Sequence, residues 1–117
     1  MNIEAFRDYC LSMDGVTEKT PFGKFAHRFD SLLVFYVLDH MFCIVDMDDF
    51  TSVSFRSTEG EIAKITERYS AVTTPVNKAM KFWLRVNLNE DMPDSVIYSC
   101  VRRAYEIIKY KYIEIRP

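Results

Sequence analysis

The sequence has few glycines, few cysteines and no long apolar run, and these shortages exclude several classes of protein. Its glycines, Gly15, Gly23 and Gly60, are too scattered for a G-x-G-x-x-G fingerprint or a P-loop. Three widely spaced cysteines argue against a disulfide framework and indicate a reduced, cytoplasmic setting. The longest apolar run, Leu32 to Leu38, has the length of a strand, so no transmembrane helix is expected. The first residues lack the charged and apolar regions of a signal peptide, so none is expected.

Patterns for metal binding and covalent catalysis are also missing. An EF-hand loop beginning at Asp46 needs glycine at position 51 and glutamate at position 57, where the chain has Thr51 and Ser57. The segment "DMDDF" therefore predicts a solvated turn. No cysteine or histidine lies at metal-ligand spacing from His27 or His40, and no G-x-S-x-G motif is present. We expect no metal, no cofactor and no enzymatic activity, although a triad assembled from distant residues stays open.

The composition that is present indicates one globular domain spanning residues 1–117. Of the 117 residues, 49% are hydrophobic and 15% aromatic, enough for an independent core. The net charge of −2 is unevenly distributed. Residues 1–63 carry five basic and eleven acidic side chains, a net of −6, whereas residues 64–117 carry ten and six, a net of +4. Such asymmetry indicates either a basic surface for an anionic partner or a chance excess of solvated side chains.

Apolar periodicity and capping residues predict three helices. The first spans Ile3 to Met13, with Asn2 as N-cap and Gly15 ending it. The second begins after Thr58, whose spacing to a glutamate three residues later is that of a capping box. The last is long, and we expect Asp91 to cap it with Pro93 in its first turn.

Alternating and continuous apolar runs predict strands between these helices. Residues 16–23 are expected to form a loop, and the turn joining the second and third strands is placed at Asp39-His40. The strands are predicted over Phe25–Phe29, Leu32–Leu38, Met41–Val45, Thr51–Arg56 and Phe82–Leu88. The order of helices and strands indicates an α+β fold, a single two-layer domain with an antiparallel sheet and helices packed on it. The final helix should cross the sheet through Val101, Ala104 and Ile108.

The segment "PVNKAMKFWLRVNL" (residues 75–88) places the only tryptophan beside basic side chains. Strand alternation puts Trp83 and Arg85 on the face opposite Phe82 and Leu84, just after Lys78 and Lys81. One interpretation is a nucleic-acid surface, where the cations meet phosphates, Trp83 stacks on a base, and Asn77 adds a hydrogen bond. The other is that Trp83 belongs to a second layer of core, with the basic stems packed along it.

Four segments resemble the MmcQ/YjbR family. They are "DGVTEKTPFG" (Asp14 to Gly23), the strand pair around "HMFCIV", "VNKAMKFW" (Val76 to Trp83), and a terminal helix beginning with Pro-Asp. The resemblance implies a small cytoplasmic bacterial protein of α+β fold, similar to the secretion-chaperone-like arrangement, and described as DNA-binding. It maps the asparagine, lysine and tryptophan of the family onto Asn77, Lys78 and Trp83. Phe82 stands where the family usually has histidine.

These observations predict a nucleic-acid-binding protein that contacts phosphates through Asn77, Lys78, Lys81, Trp83 and Arg85. Basic residues of the last helix and tail extend this prediction: Arg102, Arg103, Lys109, Lys111 and Arg116. The alternative is a protein-interaction module without nucleic-acid binding, which receives a partner protein or a second copy of the chain. No membrane partner is expected. A pocket or unrecognised enzyme beside the Pro21–Gly23 loop is a third, weaker interpretation.

Overall fold

The computed structural model describes residues 1–75 and 77–113 of the chain. Within these residues, three α-helices and six strands alternate with three short 3-10 helices. The α-helices are α1 (Ile3–Ser12), α2 (Glu59–Arg68) and α3 (Asp94–Tyr112). The strands are β1 (Thr17–Lys19), β2 (Leu32–Val37), β3 (His40–Asp46), β4 (Ser52–Arg56), β5 (Val72–Thr73) and β6 (Trp83–Asn87). The 3-10 helices are Pro21–Lys24, His27–Phe29 and Lys78–Met80.

The six strands form one antiparallel sheet in the order β1-β2-β3-β4-β6-β5. Strands β2, β3 and β4 follow one another as a meander, as the sequence predicts. The chain then passes through α2 and returns so that β6 lies beside β4, which aligns Phe55 with Leu84 and Arg56 with Trp83. This pairing places Arg56, which is distant in the sequence, beside β6.

Helices α1 and α3 pack on one face of the sheet and bury the main core. From α1, Phe6 and Cys10 are fully buried. Helix α3 lies across β2, β3 and β4, and the three residues predicted to make this contact, Val101, Ala104 and Ile108, are all buried. The predicted two-layer α+β domain is therefore confirmed, since apolar stripes on the helices meet the inward residues of each strand.

Side-chain caps determine where two helices begin, but not the third. Asn2 accepts from the Ala5 N–H at 2.8 Å, and Thr58 accepts from the Glu61 N–H at 3.2 Å, as predicted. The expectation that Asp91 caps α3 is wrong, because the N-cap is Pro93. The Asp91 carboxylate instead accepts the backbone N–H groups of Ser70 and Ala71 at 2.7 and 2.8 Å, which ties the link between α2 and β5 to the start of α3.

The segment between α1 and β2 also differs from prediction. Residues 17–19 were expected in a loop but form β1, which pairs with β2 and so depends on a distant segment. The prediction of a strand over Phe25–Phe29 is wrong. The 3-10 helices Pro21–Lys24 and His27–Phe29 flank Phe25, which is 72% exposed. These turns pack closely, and a Cβ at Gly23 would meet Asp30 Oδ1. A larger residue at this position would require the exposed Asp30 side chain to move, and its Cβ would lie 3.3 Å from the Asp30 Cα.

The β2–β3 turn lies one residue earlier than expected. Val37 pairs with His40, so Leu38 and Asp39 occupy the turn, with φ values of +51° and +65°. Positive φ at both central residues matches the right-handed twist of a two-residue hairpin. Helix α1 likewise ends before the predicted glycine, with Met13 as its C-cap, and Gly15 adopts φ +78° in the turn that follows.

Candidate nucleic-acid interface

Strand β6 has one face in the core and the other turned away from the helices. Leu84 and Val86 are fully buried beneath the helices, whereas Arg85 between them is exposed. Trp83 shares the outer face with Arg85 but is only 6% exposed. Like Val34 of β2, it is buried outside the main core. Of the two interpretations of Trp83, the structure therefore supports the structural one, and its ring does not present a face on which a base can stack.

Asn77 positions the two lysines that precede β6. Its side-chain oxygen accepts from the Ala79 N–H at 3.0 Å and caps the 3-10 helix Lys78–Met80. Because the following residues form a single tight turn, Lys78 and Lys81 lie at its two ends and both are exposed. Asn77 thus acts first as a cap that shapes the surface. Its neighbour Val76 lies outside the described residues.

Phe82 holds two cations against its ring. The Lys81 ammonium lies 4.9 Å from the ring centroid and the Arg56 guanidinium 5.1 Å from it. The two charges are therefore no more than about 10 Å apart, and cation–π attraction reduces the freedom of both side chains. Sequence reasoning missed Arg56. The alternation of β4 in the sequence indicated that Arg56 points away from the core. Its position opposite Trp83, however, depends on the β4–β6 pairing.

Four basic side chains on or near β6 have no carboxylate partner among residues 1–75 and 77–113: Lys78, Lys81, Arg56 and Arg85. The ion pairs found there involve the Met1 amino group and the side chains of Arg7, His27 and Arg103. We call the set Lys78, Lys81, Arg56 and Arg85 the β6 basic surface. Arg85 is oriented by a hydrogen bond from its Nε to Ser52 Oγ at 3.0 Å. Positive charge on this surface is thus available to an external anion.

Arg85 lines two cavities, and among the described residues acidic side chains line only one of them. One, of about 380 Å³, is bordered by Thr73, Thr74 and Met80, on the side of the lysines. The other, of about 290 Å³, includes Asp46. Burial raises the pKa of Asp46, but hydrogen bonds from Ser31 and from two backbone N–H groups outweigh it and lower the pKa overall. Asp46 is therefore ionised at neutral pH and forms an acidic limit to the β6 basic surface.

In the acidic turn after β3, the first carboxylate is hydrogen-bonded to the backbone of the turn itself. Asp46 Oδ1 accepts the backbone N–H groups of Asp48 and Asp49 at 3.0 and 3.2 Å. In the part of the chain that the structure describes, no three histidine, cysteine or acidic side chains are grouped as metal ligands. That the protein carries no metal stays a prediction.

Of the cysteines, Cys100 lines a cavity that Arg56 also borders, and the other two lie in the core. Cys10 and Cys43 are buried, and burial together with a contact to Cys10 raises the pKa of the Cys43 thiol. Burial also raises the pKa of Cys100 to about 11. His27 lies in a 3-10 helix and contacts Asp30 at 3.2 Å, while His40 stacks on Tyr112 with ring centroids 3.4 Å apart.

Several basic residues of α3 that were predicted to add phosphate contacts already interact with other side chains. Arg103 pairs with Glu61 at 2.8 Å, and the Lys109 ammonium donates to the Tyr105 hydroxyl at 3.2 Å. Lys111 lies over the ring of Tyr112. Arg102 is exposed, and Arg116 lies outside the described residues. Of these side chains, Arg103 borders the same cavity as Arg56, but its guanidinium is already paired with Glu61.

The fold defines a small α+β domain, and two solved structures share it. A Deinococcus radiodurans protein with a DUF419 domain superposes with a TM-score of 0.72 at 19% identity, over 92% of this chain and 78% of that one. A Pseudomonas syringae protein superposes with a TM-score of 0.69 at 15% identity, over 92% and 98% of the two chains. No curated protein matches the sequence.

The YjbR family model matches residues 11–107, and the chain belongs to the YjbR family. The loop that carried the resemblance has structural contacts: Glu18 accepts two hydrogen bonds from the Arg7 guanidinium, joining β1 to α1. Gly23 permits the close approach of Asp30 described above. Within the described residues, no helix combines the length and apolar character needed to cross a membrane.

Proposed function

We propose that this protein binds nucleic acid weakly, mainly through phosphate contacts made by the β6 basic surface. The observation that carries the proposal is the pair of cations, Arg56 and Lys81, held on one ring beside Lys78 and Arg85 with no described carboxylate neutralising them. The proposal includes no catalytic step. It places the protein in the cytoplasm, because three free cysteines are typical of a reducing compartment.

The chemistry of these side chains suits a phosphate backbone. Lysine contributes a mobile point charge, whereas arginine presents a planar fork that can bind two phosphate oxygens together. Arg56 and Lys81 lie within about 10 Å of each other on the Phe82 ring, close enough to reach neighbouring phosphates of one strand. Because Trp83 is 6% exposed, the proposal includes no base stacking by it.

Salt dependence tests the proposal directly. Each phosphate neutralised on duplex DNA contributes about −0.9 to the slope of log affinity against log salt concentration. Four contacts predict a slope of about −3 to −4, measured by anisotropy of a labelled duplex. Changing Lys78→Glu and Lys81→Glu together should weaken binding and reduce the magnitude of the slope by about 2.

The matched control is the pair Lys19→Glu and Lys24→Glu. These lysines are exposed and each lies over an aromatic ring, 5.4 and 5.2 Å from its centroid, as Lys81 does. The control changes net charge equally but lies beside the β1 edge of the sheet. If both double variants weaken DNA binding equally, net charge alone explains the effect and the proposed site is refuted. Binding only to a protein partner or to itself, insensitive to salt, would favour the alternative of a protein-interaction module.

A further inference from the structure

A second concave site lies between α2 and α3, at the end of β4. It is an open groove of about 270 Å³, and its inner wall is apolar. Phe55 closes the bottom and is 1% exposed, while Ile65 from α2 and Val96 from α3 form the sides. These side chains present hydrocarbon to the cavity, so its interior suits an apolar group.

Cys100 completes the apolar wall as an uncharged group. Cys100 is one of the residues lining the cavity, and burial raises the pKa of its thiol to about 11. A thiol with that pKa is protonated at neutral pH, so it adds no negative charge. The interior of the groove therefore carries no ionised group, and any electrostatic preference comes from its rim.

The rim of the groove is basic. Arg56, Lys64 and Arg103 line it together with one carboxylate, Glu61. Glu61 is already engaged, because one oxygen accepts from Arg103 Nε at 2.8 Å and the other from the Thr58 hydroxyl at 3.2 Å. Arg56 and Lys64 have no ion pair among the described residues. Three cations against one carboxylate leave a net charge of +2 at neutral pH.

We propose that this groove binds a small amphipathic anion, a carboxylate with an unbranched apolar tail. The tail lies along Phe55, Ile65 and Val96, and the carboxylate meets Arg56 and Lys64 at the rim. The volume suits such a tail: an apolar cavity of about 150 Å³ holds benzene, so about 270 Å³ accepts a short unbranched chain. This proposal does not depend on the proposed nucleic-acid function, although the groove shares Arg56 with the β6 basic surface.

Decanoate is the probe, and its titration by calorimetry or by chemical-shift changes in the full chain tests the proposal. We expect saturable binding of one molecule per chain, below the concentration at which decanoate forms micelles. Decanol, which has the same tail without charge, should bind at least about tenfold more weakly, since a charged hydrogen-bond partner is lost. Decyltrimethylammonium should not bind. Equal affinity for all three molecules would overturn the assignment of an anion site.

Two neighbouring positions on α2 provide the matched pair. Lys64 lines the groove, and Arg68 is exposed one turn later without lining it. Lys64→Glu should weaken decanoate binding about tenfold or more, whereas Arg68→Glu should leave it unchanged. Val96→Trp should fill the groove and abolish binding while DNA binding is retained. Unchanged affinity in Lys64→Glu, or an equal loss in both charge variants, would refute the proposal even if Val96→Trp fails to fold.

Discussion

Replacing Trp83 with alanine tests whether the only tryptophan supports the fold or serves as a contact surface. Trp83 is 6% exposed, and a buried tryptophan removes about 150–250 Å² from water. At about 25 cal/mol per Å², this burial is worth about 4–6 kcal/mol, and measured Trp→Ala losses in cores are about 3–5 kcal/mol. We therefore expect Trp83→Ala to lower the free energy of unfolding by about 3–5 kcal/mol.

For a chain of this length such a loss lowers Tm by about 12–20 °C. Urea unfolding followed by circular dichroism measures it, and Trp83→Phe, which keeps most of the apolar volume, should lose less. Phe25→Ala is the control, because Phe25 is 72% exposed and its removal should change stability by no more than about 0.5 kcal/mol. A loss below about 1 kcal/mol for Trp83→Ala, or one equal to that of Phe25→Ala, would refute the assignment of Trp83 to a buried layer.

Two further predictions concern the start of α2 and the link after it. Thr58→Ala should cost about 1 kcal/mol, because it leaves the Glu61 N–H without its cap. Thr66→Ala on the same helix should cost little or nothing, because its hydroxyl only bonds back to the preceding turn; equal losses in urea midpoints would contradict the cap. For Asp91, the backbone N–H of Ser70 is the main group lowering the carboxyl pKa. A depressed folded pKa stabilises the fold above the unfolded value of about 3.9 and loses that effect as pH falls through the folded value. The stability difference between wild type and Asp91→Asn should therefore shrink as the pH falls below about 4; a difference independent of pH would contradict this.

Local chemistry in the sequence was enough to predict most elements. The apolar stripe and the Asn2 cap predict α1, and the capping box at Thr58 predicts α2, because each depends on residues within one or two turns. Alternation likewise predicts β4 and β6, since side chains on a strand point to opposite faces in turn. Asp91 shows the limit of such reasoning. Its position before a helix resembles a cap, but its carboxylate bonds to residues about twenty positions earlier.

The candidate site shows what only the tertiary structure decided. The sequence by itself placed Lys78, Lys81 and Arg85 around β6 and determined that Arg85 faces away from the core. It contained no information on the partner of β6, and the pairing with β4 is what brings Arg56 to the Phe82 ring. The burial of Trp83 was equally undetermined, because alternation states which face a side chain takes but not whether that face is covered. Both properties arise from contacts between segments far apart in the chain, and local propensity does not encode such contacts.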